Sequence, residues 1–319
     1  MNTPRVLVTR RIPASVLARL GASCDVDVYR GAGAISRDEL KSRLQDALGL
    51  VCVLTDRIDG EILDAAPRLR VVANIAVGYD NFDMAAARAR GVIMTNTPDV
   101  LTEATADLAW TLILGIMRRV TEGDRLIRRG GWTGWALDFM LGSDLRGKQL
   151  GIVGMGRIGA AVARRAAAFG MRVAFASLPQ ASVSVDAQAF TPMGLDELLA
   201  SSDVVSLHVP LTPDTRHLID RKALARMKRT AYLVNTSRGP VVDEEGLAWA
   251  LREGLIAGAA LDVFEREPIV HPDLLGLENV LLAPHLGSAT TETRTAMADL
   301  AVSNVLAVLA GQPPVTPIA

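Results

Sequence analysis

Three places in the second half of this 319-residue chain carry side chains that could do chemistry. In Asn235-Thr236-Ser237-Arg238-Gly239-Pro240 a guanidinium stands beside a glycine, with room to meet a carboxylate through two parallel hydrogen bonds. Taken alone, Arg238 is as well read as a surface arginine in a turn. Asp262-Val263-Phe264-Glu265-Arg266-Glu267-Pro268 supplies carboxylates that could orient a histidine, although charges after a strand are usually just solvated. Ala283-Pro284-His285-Leu286-Gly287-Ser288 supplies the histidine. Of the four histidines, His208 lies in a buried-strand pattern and His217 and His271 lie in polar loop text. A lone histidine is more often structural. An arginine, an acid and a histidine at successive strand ends of one sheet are harder to dismiss, because strand carboxyl ends are where open α/β sheets bind ligands.

The elements that must position these groups are read from a fourth stretch. Gln149–Val153 is short, apolar and partly β-branched, and Ala160–Phe169 is a strong helix former. Between them Gly154, Gly156 and Gly159 fall at the G-x-G-x-x-G spacing of a dinucleotide-binding turn. The first glycine permits the bend, the second lets backbone approach a pyrophosphate, and the third lets helix and strand pack closely. In a chain with 27 glycines the spacing alone is weak; strand before and helix after favour a nucleotide site over an ordinary strand–helix turn.

Strand and helix alternate on both sides of this turn. Arg5–Thr9, Asp25–Tyr29, Leu50–Leu54, Arg70–Ile75 and Val92–Asn96 read as strands in the first part, with helices at Pro13–Leu20 and Ser36–Ala47. Leu101–Val120 reads as one long helix, with Asp99 and Thr102 as capping groups. A loop holding Trp132 and Trp135 follows. Further strands are expected at Arg172–Ala176, Val204–Val209, Ala231–Thr236, Ala257–Val263 and Val280–Ala283. The last helix, Glu292–Leu309, is apolar along Ala296, Leu300, Val302, Val305, Leu306 and Leu309 and should return to the first part. The expectation is an α/β chain of two doubly wound parallel sheets with an interdomain cleft, residues 1–98 with 287–319 forming one domain and 99–286 the other.

Composition narrows the classes. Half the residues are hydrophobic and 22% charged, as in a globular α/β protein, and a formal net charge of −1 gives no reason to expect nucleic acid or an anionic membrane. No stretch approaches a membrane span or a signal peptide, so a cytoplasmic protein is expected. Cys24 and Cys52 have no metal-ligand spacing and sit in apolar strand-like text, which makes them buried thiols; no metal site is expected. Arg118-Arg119, close to Glu122 and Asp124, reads as a solvated helix face.

The glycine turn, Asn235–Pro240, Asp262–Pro268 and Pro284–Thr290, in that order, resemble the signatures of the D-isomer-specific 2-hydroxyacid dehydrogenases. The resemblance spans essentially the whole chain and includes Asn74-Ile75-Ala76-Val77-Gly78-Tyr79-Asp80-Asn81. Within the family the Leu54 loop and Gly131-Trp132-Thr133-Gly134-Trp135 look closest to the glyoxylate/hydroxypyruvate reductases. It implies hydride transfer between a nicotinamide and C2 of a small 2-oxo or D-2-hydroxy acid. His285 is then the proton donor, Glu267 its partner, and Arg238 the group that holds the substrate carboxylate. Backbone N–H groups of Val77 and Gly78 are implied to bind that carboxylate from the other domain, with Leu54 and Trp135 lining the pocket. In related reductases this tryptophan reaches in from a partner subunit, which implies a homodimer built on the Leu101–Trp135 region. Alternatively Trp135 anchors the loop on its own domain.

For the cofactor, the resemblance places Arg157 and Ile158 over the pyrophosphate and Pro210 and Thr215 on the adenine side. Thr102, Thr236, Asp262, His285 and Gly287 are also carried over as cofactor contacts. NAD-preferring sites place an acid at the end of the second strand; here the chain reads Ala176-Ser177-Leu178-Pro179-Gln180, with no acid and no following base. Ser177 could accept a 2′-phosphate, so NADPH is expected over NADH. Rival readings are another enzyme of the family, phosphite dehydrogenase included, although that enzyme uses a lysine where Val77 stands. An NAD(H)-sensing corepressor on the same fold is the rival from another class.

Overall fold

In the computed structural model, which describes residues 3–177 and 190–318, two parallel sheets divide the chain into two units. The first unit runs to Leu101 and resumes at Thr290; the second is Thr102–Ala289. Both crossings therefore fall three residues beyond those expected.

The first unit contains β1 (Arg5–Val8), α1 (Ala14–Gly21), β2 (Asp25–Val28), α2 (Arg37–Leu44), β3 (Gly49–Cys52), α3 (Gly60–Asp64), β4 (Val71–Asn74), α4 (Met84–Ala89) and β5 (Ile93–Thr95). Its strands lie in the order β2-β1-β3-β4-β5, all parallel. β3 and β4 are buried at every position, as strands covered on both faces must be. Helix starts follow capping chemistry: the side chains of Ser36, Asp59 and Asp83 accept from the N–H groups of Glu39, Ile62 and Ala86.

The second unit opens with α5 (Thr102–Met117) and α6 (Val120–Arg128), then β6 (Gln149–Val153), α7 (Arg157–Ala166), β7 (Arg172–Ala176), β8 (Thr191–Pro192), α8 (Leu195–Ser201) and β9 (Val204–Leu207). It continues with α9 (Arg221–Arg226), β10 (Tyr232–Asn235), α10 (Glu244–Arg252), β11 (Gly258–Leu261), α11 (Pro272–Leu275) and β12 (Val280–Leu282). The strand order is β12-β11-β10-β9-β6-β7-β8. Because β6 pairs with β9 on one side and β7 on the other, the winding reverses beside the glycine turn, the position where such sheets open a ligand crevice.

Three expectations need correction. The single helix over Leu101–Val120 is two helices, because the N–H of Ser143 takes the Met117 carbonyl and Arg119 turns left-handed at φ 54°. Arg119 then pairs with Glu122 at the start of α6, and Arg128 pairs with Asp124. The Ala-rich helix ends at Ala166, with a 3₁₀ turn over Ala167–Phe169 closed by left-handed Gly170. Short β8 was not expected.

The chain returns to the first unit as α12 (Thr291–Leu309), capped by Thr290. Its buried stripe is Met297, Ala298, Ala301, Val302, Asn304, Val305 and Val308. Ala296, Leu300, Leu306 and Leu309 flank it instead of forming its centre. Val302, Val305 and Val308 join Val6, Val8, Val51 and Val71 in one core cluster. Cys24 and Cys52 are buried free thiols.

Candidate active site

The second unit brings Arg238, Glu267 and His285 into one neighbourhood. His285 Nδ1 lies 2.9 Å from Glu267 Oε2. The other carboxylate oxygen, Glu267 Oε1, accepts from the Phe264 N–H at 3.1 Å, so the acid is held at both ends. Burial pushes the Glu267 carboxyl up, but the His285 hydrogen bond and charge, the Phe264 N–H and the Arg238 charge together leave it below its ordinary value. With Nδ1 engaged by Glu267, Nε2 is the nitrogen that His285 has left for a substrate.

The histidine sits on strained backbone. Its φ is 55°, a left-handed conformation that costs a non-glycine residue about 1 kcal/mol. Asp262, buried at the end of β11, over-determines this turn. Its carbonyl accepts the His285 N–H at 2.9 Å, and its two carboxylate oxygens accept from Leu286 N–H at 2.6 Å and Gly287 N–H at 2.8 Å. Burial raises the Asp262 carboxyl, against the opposing pull of the Leu286 N–H, the His285 charge and the Gly287 N–H. Asp262 thus acts through the turn that carries His285. Thr105 completes the hold, donating to the Gly287 carbonyl at 3.1 Å.

Arg238 is placed by the end of β10. Buried Asn235 accepts from Ser237 N–H and Oγ through its side-chain oxygen and donates to the Arg238 carbonyl at 2.9 Å. Gly239 is glycine for a different reason from the one its neighbour suggested. A Cβ there would fall 1.9 Å from the Phe264 carbonyl carbon, so the Arg238 and Glu267 loops touch backbone to backbone. Asn235 was not singled out in the sequence, yet an asparagine at a strand end before a turn is a legible signal for such a bracket.

The glycine turn fits a dinucleotide. Gly154 has φ 98°, and a Cβ on it would strike the His208 backbone at 2.8 Å; a Cβ on Gly159 would strike the Gly154 carbonyl at 2.1 Å. Gly156 is neither left-handed nor crowded, and a Cβ there would meet nothing within 4 Å. Conformation and packing leave its small size unexplained, whereas a ligand lying over it explains it. No side chain caps α7, so its first N–H groups are left for an anionic group. Thr236 Oγ1 is buried without a partner, a group a cofactor amide or hydroxyl could satisfy.

Other expected contacts are placed as follows. Ser177 follows β7 directly and is exposed; Leu178, Pro179 and Gln180 lie outside the described residues. Thr215 is fully buried, its hydroxyl donating to the Pro210 carbonyl at 2.7 Å and accepting from Thr212 N–H, so it braces the loop whose exposed tip is Pro210. Thr102 opens α5, and Ile158 is partly buried against the α5–α7 core. Half-buried His208 has Nε2 2.9 Å from Ser206 Oγ, and burial lowers its pKa to about 3, so it is neutral at physiological pH. Among the described residues no cluster of histidine, cysteine and acid could hold a metal ion.

In the first unit, Leu54, Val77 and Gly78 are half-buried in loops after β3 and β4. Asn74 Nδ2 donates to the Gly78 carbonyl and to Asn81 Oδ1, while Asn81 Nδ2 donates to the Asp56 carbonyl at 2.9 Å, tying the two loops together. Buried Asp56 accepts from Thr9 and from the Val53 N–H.

Residues 110–287 match the model of the family described as D-isomer specific 2-hydroxyacid dehydrogenase, NAD binding domain. A glyoxylate reductase of Thermococcus onnurineus is 50% identical over 98% of this chain and 95% of its own length. A protein of Thermus thermophilus of known structure superposes with a TM-score of 0.93 at 48% identity, covering 99% of this chain and all of its own. An NADPH-dependent glyoxylate/hydroxypyruvate reductase of Sinorhizobium meliloti, solved with NADP and malonate, superposes with a TM-score of 0.86 at 37% identity over 100% of this chain and 97% of its own.

Proposed function

The chain belongs to the D-isomer-specific 2-hydroxyacid dehydrogenase family, NAD(P)-dependent enzymes that reduce small 2-oxo acids, and on that premise we propose that it reduces glyoxylate or hydroxypyruvate with NADPH as preferred reductant. The observation that carries the chemistry is the 2.9 Å pairing of His285 with Glu267 on the sheet that also presents Arg238. The choice of acid rests on the glyoxylate reductases at about half identity over nearly the whole chain.

A bound nicotinamide supplies the hydride for C2 of the oxo acid. His285 gives the proton from Nε2 to the carbonyl oxygen, as general acid. Glu267 keeps the imidazole oriented through its hydrogen bond to Nδ1. Arg238 binds the substrate carboxylate and draws charge toward the carbonyl oxygen as it becomes an alkoxide. Val77 and Gly78 N–H groups hold the same carboxylate, and Leu54 and Trp135 limit the size of the acid. The glycine turn and the open N-terminus of α7 receive the pyrophosphate. Exposed Ser177, followed in sequence by Leu178-Pro179-Gln180 with no acid, admits a 2′-phosphate, and the working protein is a homodimer.

The test is the loss of nicotinamide absorbance with glyoxylate, hydroxypyruvate, pyruvate and phenylpyruvate, each with NADPH and NADH. Fast oxidation of NADPH with either of the first two acids is expected. Turnover confined to the bulkier acids removes the substrate assignment and keeps the chemistry. Ser177→Asp should move the NADPH/NADH ratio of kcat/KM at least tenfold toward NADH, since the new carboxylate repels a 2′-phosphate; an unchanged ratio removes Ser177 from the cofactor site.

A further inference from the structure

We propose that Asn96 is a positioning residue for the substrate carboxylate, and that Thr316 and Asn304 set Asn96 in place. The inference rests on the reading that Val77 and Gly78 N–H groups bind that carboxylate. A trans peptide group is planar, with its C=O and N–H pointing in opposite directions. Holding a carbonyl therefore aims the N–H of the next residue.

The Val77 N–H shares its peptide with the Ala76 carbonyl, which accepts from the Thr97 N–H at 2.9 Å. The Gly78 N–H shares its peptide with the Val77 carbonyl, which accepts from Asn96 Nδ2 at 2.7 Å. Two consecutive residues just after β5 thus aim both N–H groups. One does so through backbone, which any residue could supply. The other does so through a side-chain amide, which only a donor of that length could supply.

Asn96 is itself bracketed from the segment after α12. Thr316 Oγ1 donates to the Asn96 carbonyl at 2.6 Å, and the Thr316 carbonyl accepts the Asn96 N–H at 3.4 Å. Asn304, fully buried on α12, donates from Nδ2 to Thr316 Oγ1 and accepts the Thr316 N–H through Oδ1, both at 2.8 Å. The Ile318 N–H adds a bond to the Met94 carbonyl. The Thr316 hydroxyl uses its one proton on Asn96 and a lone pair on Asn304, so removing it leaves a bond short on half-buried Asn96 and on buried Asn304. This explains the buried asparagine in the stripe of α12 that otherwise packs apolar side chains on the sheet.

The experiment measures KM and kcat for glyoxylate and hydroxypyruvate, with NADPH affinity by fluorescence, in wild type, Asn96→Ala, Asn96→Asp, Thr316→Val, Thr316→Ser and Arg238→Lys. Asn96→Ala should raise the KM of the oxo acid about tenfold. Asn96→Asp should raise it further, because a carboxylate cannot donate and repels the substrate. Thr316→Val should raise KM about threefold and Thr316→Ser should restore it. NADPH affinity should stay within twofold throughout, which also reports folded protein. In the double variant Asn96→Ala/Thr316→Val the two effects should not multiply, since both act on one peptide. An unchanged KM in Asn96→Ala, or equal losses in KM, kcat and NADPH affinity, overturns the inference. If KM rises in Arg238→Lys but not in the Asn96 variants, the proposed function stands and only this inference fails. Wild type that turns over no 2-oxo acid overturns both.

Discussion

At the scale of single residues, the Glu267 carboxyl held by His285 sets a pH dependence of stability. The Glu267 carboxyl lies below its ordinary value in the folded protein, so its stabilising contribution is complete above the unfolded value near 4.5 and is lost as pH falls through the lower folded one. Glu267→Gln should cost on the order of 1.5–3 kcal/mol at pH 7, the range of a hydrogen bond to a charged group, and converge on wild type once pH has fallen below the folded value. Urea midpoints across that range check it; a constant difference would mean that the charge is not what stabilises. Residues with strong local chemistry were legible here: Arg238, Glu267 and His285 stand out by type and by their place at strand ends. Asp262 was legible as an acid but not in its work, because only the fold shows both its oxygens taken by N–H groups of the next loop. Asn96 was not singled out at all, since its meaning lies in which carbonyl it meets.

At the scale of elements, the loops after β10 and β11 depend on one another through Gly239. Its absent Cβ lets them meet, with Phe264 backbone atoms at 1.9 and 2.0 Å from where that atom would stand. Backbone cannot step aside as a flexible side chain can, so Gly239→Ala should displace the loop bearing Arg238 from the one bearing Glu267. A loss of at least about 2 kcal/mol in stability is expected, with kcat/KM reduced about a hundredfold and NADPH affinity much less affected. Gly156→Ala is the comparison: its Cβ meets no protein atom, so stability should hold while NADPH binding weakens. Calorimetry with cofactor titration separates the two, and equal damage to stability in both would refute the distinction. Strand positions were readable because buried parallel strands are short runs of Val, Leu and Ile between turn residues. The break between α5 and α6 was not, because residues 101–120 hold no proline and only one glycine to mark it, and the helix is ended from outside by Ser143, a partner 26 residues from Met117 in sequence.

At the scale of the molecule, the two-sheet division and the return of α12 were legible in the alternation of elements, whereas the crossings lie slightly later than expected. Leu101 is buried with the first unit, and Thr290 caps α12, so each boundary follows a local contact that composition does not mark. What neither sheet accounts for is the apolar surface of residues 120–141. α6 buries no residue, Ile127 is 61% exposed, and Trp135 and Leu137 are more than three-quarters exposed at 80% and 83%. Trp135 therefore does not anchor the loop on its own unit. Burying Ile127, Trp135, Leu137 and Leu141 in a second copy would contribute on the order of 6–12 kcal/mol before the cost of association. Sedimentation at about 10 µM should give a dimer. Ile127→Lys with Leu137→Lys should give a monomer, because two ammonium groups would be stranded in the interface. If Trp135 completes the partner's pocket, that monomer should lose oxo-acid turnover yet keep NADPH affinity. A wild type that sediments as a monomer with full turnover would leave this surface without a role in the reaction.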